Sequence, residues 1–122
     1  MADDSESLEP GRAAFNRGEY FLAHELWEEV WREAEDSGRR LFVQGLIQIA
    51  AGLHQLQRHR SGPAAGLLRK GLEKISHPGQ DGEVLRGRLR ADLLASEVAR
   101  FLRELGTPAG ASAAADLRRF AL

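Results

Sequence analysis

The amino-acid sequence predicts an all-α fold, an antiparallel bundle of about five helices in one domain. Three features lead there. Apolar residues recur at the three-and-four spacing of a helix face in one segment after another, and no stretch shows the alternation of a half-buried strand. Gly, Pro and Ser cluster at only a few points, so the segments between them are long and their connections short. A chain of 122 residues, 43% of them hydrophobic, is also long enough to bury one core.

Residues 1–9 are acidic and polar and read as a disordered tail, with the bundle expected over 10–108. Pro10 is tolerated in a first turn and opens a short helix through Phe15 and Asn16, which Gly18 ends as a C-terminal cap. A second helix is expected over 19–36, broken by Ser37-Gly38. On it Tyr20, Ala23, Trp27, Val30, Trp31 and Ala34 share one face, and Glu25, Glu29, Arg32 and Glu33 lie opposite, where water can hold them.

The third helix is expected over 39–58. Its residues 41–57 include no Asp, Glu, Lys or Arg. Phe42, Leu46, Ile49, Leu53 and Leu56 form one apolar stripe, widened by Val43, Ile47 and Ala50. The remaining face reads Gln44, Gln48, Ala51 and Gln55, where a solvent-facing stripe ordinarily carries charge. A helix apolar nearly all round is central to its domain or lies in an interface. Three glutamines on one face are too many for a membrane span, which needs about 20 apolar residues. Gly45 and Gly52 cost helix stability, and their spacing is expected to let another helix approach closely.

Ser61-Gly62-Pro63 gives a turn, and a fourth helix follows over 63–75, burying Ala65, Leu68, Leu72 and Ile75. Residues 77–82 are a loop by composition. A fifth helix is expected over 83–105, with Leu94, Val98, Phe101, Leu102 and Leu105 inward. Arg86, Arg88 and Arg90 fall near its start, where the helix dipole disfavours cations. Gly106-Thr107-Pro108 stops it, and 109–122 read as a C-terminal tail with room for a short helix over 116–120. The second and third helices are expected to form the central hairpin, with Trp27, Leu46, Ile49 and Leu53 among the most buried residues.

Net charge is −1, unevenly spread: residues 1–36 carry a net −8 and residues 37–122 a net +7. The basic part has no aromatic interleaving and no recognised nucleic-acid motif, so acidic and basic helices side by side explain the asymmetry better than a nucleic-acid surface. The absence of cysteine excludes disulfides and thiolate metal sites. The acidic start lacks the basic and apolar regions of a secretion signal, which points to the cytoplasm.

Chemistry concentrates in the second helix. His24 and Glu28, four apart, are neighbours on the border between the apolar and charged faces. His24-Glu25-x-x-Glu28 lacks the second histidine of the zinc-protease signature, and the third helix offers glutamines where a di-metal bundle needs carboxylates, so no metal or other cofactor is expected. The candidate polar site is His24, Glu25, Glu28, Gln44 and Gln48, supported by the aromatics Tyr20, Trp27 and Trp31. Packing of consecutive helices should let at least one glutamine amide, or a backbone group of the third helix, hydrogen-bond His24 or Glu28.

The segment Phe-Asn-Arg-Gly-Glu-Tyr-Phe-Leu-Ala-His-Glu-Leu-Trp-Glu-Glu-Val-Trp, residues 15–31, resembles the small prokaryotic family called domain of unknown function 309. Residues 42–54 (Phe-Val-Gln-Gly-Leu-Ile-Gln-Ile-Ala-Ala-Gly-Leu-His) and 62–72 (Gly-Pro-Ala-Ala-Gly-Leu-Leu-Arg-Lys-Gly-Leu) fit the same pattern, and the resemblance spans 11–76. Where the family has Asn-x-Gly-Ala, this chain has Ser61-Gly62-Pro63-Ala64. The resemblance implies a small helical bundle and a signature falling on His24, Glu25, Glu28, Trp31, Gln44, Gly45 and Gln48. It brings no activity with it. Two function classes stand: a non-catalytic interaction or structural module with a buried His/Glu/Gln cluster, its glutamine face covered most simply by the protein's own helices or, as the alternative, by a twofold homodimer; or a small enzyme or ligand-binding protein, metal-dependent or not, using His24 as a base held by Glu28. The sequence names neither a protein partner nor a small molecule.

Overall fold

The computed structural model describes residues 7–35, 37–77, 86, 87 and 89–122. Most of the expected acidic tail, the loop at 78–82, the expected helix start at 83–85, Asp36 and Arg88 lie outside the described residues. Among the described residues there are six helices and no strand: α1 Glu9–Asn16, α2 Tyr20–Glu33, α3 Ser37–Gln57, α4 Ser61–Ser76, α5 Ala91–Glu104 and α6 Gly110–Arg119.

Local chemistry sets most of these boundaries. Pro10 sits in the first turn of α1. Gly18, at φ 80°, closes α1, with its N–H on the Phe15 carbonyl and the Glu19 N–H on the Ala14 carbonyl, both at 2.9 Å. That pair of bonds is the glycine-terminated cap expected from the sequence.

The break after α2 differs from expectation. It falls at Ala34, which is extended, so Ser37 and Gly38 already belong to α3. Arg40 fixes the corner: its guanidinium donates to the Ala34 carbonyl at 3.0 Å and lies 4.3 Å from the centre of the Trp31 ring. The expected fifth helix is broken at Arg90, left-handed at φ 53°: residues 86 and 87 are helical, and α5 begins anew at Ala91 with Arg90 at its cap. Arg90 therefore stands outside the first turn, with its guanidinium 6.0 Å from the Phe120 ring centre. At the other end, the alanine-rich run after Pro108 is helical from Gly110, longer than the short helix expected, in keeping with alanine's high propensity.

Each helix packs chiefly on its neighbours in sequence. α3 is central, and its most extensive contact is with α4 rather than with α2. Glycines make that contact close. A Cβ on Gly71 would meet the Gly45 carbonyl oxygen at 2.7 Å, and one on Gly52 would meet Leu68 Cγ at 2.8 Å. Trp27, Leu46, Ile49 and Leu53 are fully buried, as expected. Each aliphatic or aromatic side chain so buried contributes about 1.5–3 kcal/mol.

The core also takes in both ends of the described chain. Leu8, within the stretch assigned to the tail, is fully buried and accepts a 3.1 Å hydrogen bond from Trp27 Nε1. Gly11 lies flat against the same indole ring, leaving no room for a side chain. Ala113, Leu117 and Leu122 are buried as well. Asn16 holds Leu122 through two bonds, Nδ2 to its carbonyl at 3.1 Å and Oδ1 from its N–H at 2.8 Å.

Candidate functional site

The α2–α3 edge carries the residues singled out from the sequence, and the structure divides them. Tyr20 and Trp27 are core residues. The Tyr20 hydroxyl donates to the Arg118 carbonyl at 2.8 Å, and burial pushes its phenol above the usual tyrosine range. Its ring meets Phe15 edge-on at 5.2 Å, and Phe15 lies 5.8 Å from Trp27. These aromatics set the position of α2 against α1 and α6 and face away from solvent.

The histidine and its carboxylate are half-exposed. His24 Nε2 lies 3.3 Å from Glu28 Oε1, with the two side chains 24% and 36% exposed. Arg32 reaches the other carboxylate oxygen of Glu28 at 3.4 Å. Helical spacing of four produces this short ladder, and its exposure limits its worth to about 0–1 kcal/mol. Glu25 points to solvent.

The glutamines do not join this pair. Gln48 Oε1 instead accepts a 2.8 Å hydrogen bond from Lys74 Nζ on α4. Gln44 is half-buried, one turn beyond Arg40, and among the described residues no hydrogen bond links either glutamine to His24 or Glu28. The expected bond is thus absent. The physical reason is that Gln48 shares a side of α3 with Gly45 and Gly52, the side α4 covers. No polar residue among the described ones is fully buried, so the expected buried His/Glu/Gln cluster is replaced by two separate, partly exposed contacts.

Two residues missed from the sequence complete the edge. Phe21, 53% exposed, stacks on His24 with ring centres 5.8 Å apart and lies 5.3 Å from His54 of α3. Leu22 beside it is 41% exposed. The signal was present: Phe21 falls off the Tyr20–Ala23–Trp27 stripe, so a helix at that position cannot bury it. Two buried polar atoms here lack partners, His24 Nδ1 and Gln55 Oε1. Among the described residues no three His, Asp or Glu side chains gather to hold a metal ion. No helix of the described residues is long and apolar enough to cross a membrane. Surface depressions of ≈ 460 and ≈ 680 Å³ are lined by other residues.

Residues 8–67 match the family described as Domain of unknown function (DUF309). The resemblance to DUF309 thus holds over α1, α2, α3 and the first part of α4, which include every candidate site residue. A protein of Aquifex aeolicus (strain VF5), titled "Uncharacterized protein", is 27% identical over 109 residues. The match takes in 88% of this chain and 32% of that relative, so the chain spans about a third of the relative's length. No solved structure matches the chain. Within the DUF309 signature, Gly45 has a packing role against Gly71 and Ile75, and Trp31 receives the Arg40 cation.

Proposed function

We propose that this chain is a non-catalytic interaction module, an antiparallel helical bundle in one domain that docks a second copy through the outer face of α3 and the adjoining edge of α2. The observation that carries the reading is Phe21, half out in solvent between His24 and His54. It borders Gln44, Ala51 and Gln55 of α3, which are half-buried yet carry no charge, Gln48 of the expected stripe being taken by Lys74 of α4. A primary amide both donates and accepts, so such a stripe complements itself about a twofold axis. The antiparallel course is supported by the pairing of Gly45 with Ile75 and of Gly52 with Leu68. A cytoplasmic setting fits a chain without cysteine.

Sedimentation equilibrium over a range of concentrations tests this. The intact chain should dimerise, Phe21→Ser and Ala51→Glu should each weaken the dimer, and both variants should keep the melting temperature of the monomer. A strict monomer at high concentration removes the reading.

One observation favours the second class: Glu28 holds one ring nitrogen of His24, while the other is buried without a hydrogen-bond partner and is open to a ligand only if the side chains around it shift. Metal analysis of untagged protein and a thermal-shift screen of metabolites test it. A stabilising ligand that loses its effect in His24→Ala supports that class, and a blank screen counts against it.

A further inference from the structure

A separate surface lies between α1, α2 and the start of α3. There an open groove of ≈ 460 Å³ is lined by Leu26 and Val30 and edged by three exposed carboxylates, Glu29, Glu33 and Glu35, against one exposed cation, Arg39. These belong to the acidic part of the chain. The ion pairs of Arg12 with Glu9, Arg17 with Glu19 and Arg32 with Glu28 stay inside that part. Those of Arg100 with Glu97 and Asp116 stay inside the basic part. None of these pairs joins the acidic part of the chain to the basic part.

The basic part offers a matching projection. Arg58, His59 and Arg60 are consecutive and exposed in the turn between α3 and α4. His59 is left-handed at φ 59°, and the turn is fixed by the His59 N–H on the Leu56 carbonyl and the Arg60 N–H on the Gln55 carbonyl, both at 3.0 Å. A turn whose backbone is already ordered loses little entropy on docking.

We propose that the groove receives the 58–60 turn of a second copy, head to tail. An arginine stem can lie along Leu26 and Val30 while its planar fork meets the carboxylates at the rim. The contact is heterologous, so it is independent of the twofold contact through Phe21 and extends or closes into a ring according to its rotation.

The test uses the full chain carrying Phe21→Ser together with Ala51→Glu, both of which weaken the other contact. Sedimentation at low ionic strength should show self-association that falls at high ionic strength, because exposed charges are screened. Glu29→Lys with Glu33→Lys should weaken it by about tenfold or more, and so should Arg58→Glu with Arg60→Glu, since each sets like charges against one another. Mixing the two charge-reversed proteins should restore association, as a hetero-complex only. Should either reversed protein fail to melt cooperatively, the salt dependence of the unreversed chain decides. A monomer at low salt overturns the proposal, as does association indifferent to salt, or a mixture of folded reversed variants that stays monomeric.

Discussion

Replacing Gly71 by Ala should destabilise the bundle, whereas the same change at Gly66, five residues earlier in α4, should stabilise it. At Gly71 an added Cβ would stand 2.7 Å from the Gly45 carbonyl oxygen, 2.6 Å from Ile49 Cγ1 and 3.1 Å from the Ile49 nitrogen. Ordinary contact begins near 3.4 Å, so the two helices must part by about 0.7 Å at a point where the obstacles are largely backbone. Overpacking of this kind costs about 1–3 kcal/mol, and the parted helices also lose dispersion contacts along their length. Against that stands the propensity gain of about 1 kcal/mol for replacing glycine inside a helix. The balance for Gly71→Ala is a loss of up to about 2 kcal/mol. Gly66 has nothing within 4 Å of an added Cβ, so only the gain remains, about 0.5–1 kcal/mol.

Urea unfolding at matched slope measures both changes. For a chain of this size 1 kcal/mol moves Tm by roughly 3–6 °C, so the two variants should melt about 5 °C or more apart and on opposite sides of the parent. Gly45→Ala should fall between them, since its nearest neighbours are the side chains of Ile75 and Lys74, which can give. A Gly71→Ala protein as stable as Gly66→Ala would refute the close α3–α4 crossing.

Trp27→Phe removes the indole donor and leaves the Leu8 carbonyl buried without a partner, so stability should fall by about 1–3 kcal/mol in urea unfolding, beyond the lost ring volume. Asn16→Ala cuts both bonds to Leu122 and should cost about 1–2 kcal/mol, with earlier carboxypeptidase release of the final residues as the specific readout. Glu28→Gln and Glu28→Leu should each change stability by less than about 1 kcal/mol, because the His24 pair is open to water; a larger loss from the leucine would show that a buried partner had been stranded. Tyr20→Phe gives a pH test. The folded state raises the Tyr20 pKa, so it holds the proton more tightly than the unfolded chain does. Stability is then fully present below the ordinary value of 10.0 and falls as pH rises above it. The phenylalanine variant should show a shallower alkaline decline by circular dichroism, and an unchanged decline would assign the loss to other groups.

The helices and their buried stripes were legible because they depend on spacing alone. Tyr20, Ala23 and Trp27 repeat at a period that only a helix can place on one side, and they are buried as that period requires. Gly45 and Gly52 were legible for a related reason: their cost to α3 implied a compensating approach, and α4 makes it. What failed depended on positions distant in sequence. The Lys74 ammonium competes for Gln48 across 26 residues, and nothing near Gln48 announces it. Asn16 and Leu122 are 106 residues apart, so the closing of the C-terminal segment onto α1 has no local signal. The α2–α3 break was misplaced by a few residues because Ser-Gly suits a helix start as well as a stop, and the deciding contact is Arg40 on the Ala34 carbonyl.

The composition of α3 bears on function more directly than the His24–Glu28 pair. Its inner face must be apolar to fill the core, and its glycines must be small to admit α4; both needs come from the fold. Neither need applies to Gln44 and Ala51, which are half-buried. At such positions glutamate, lysine or arginine is as good a helix former as glutamine, and a charge partly in water costs little. Fold stability therefore gives no reason for Gln44 and Ala51 to be uncharged. Desolvation by a partner does give one, because a charge covered without an opposing charge is penalised far more than an amide that can exchange hydrogen bonds across a contact. The same reasoning accounts for Phe21, which gains nothing from solvent at its place beside His54 and would gain from being covered. Introducing charge at Ala51 separates the two explanations: it should leave the monomer's stability nearly untouched and act on association alone.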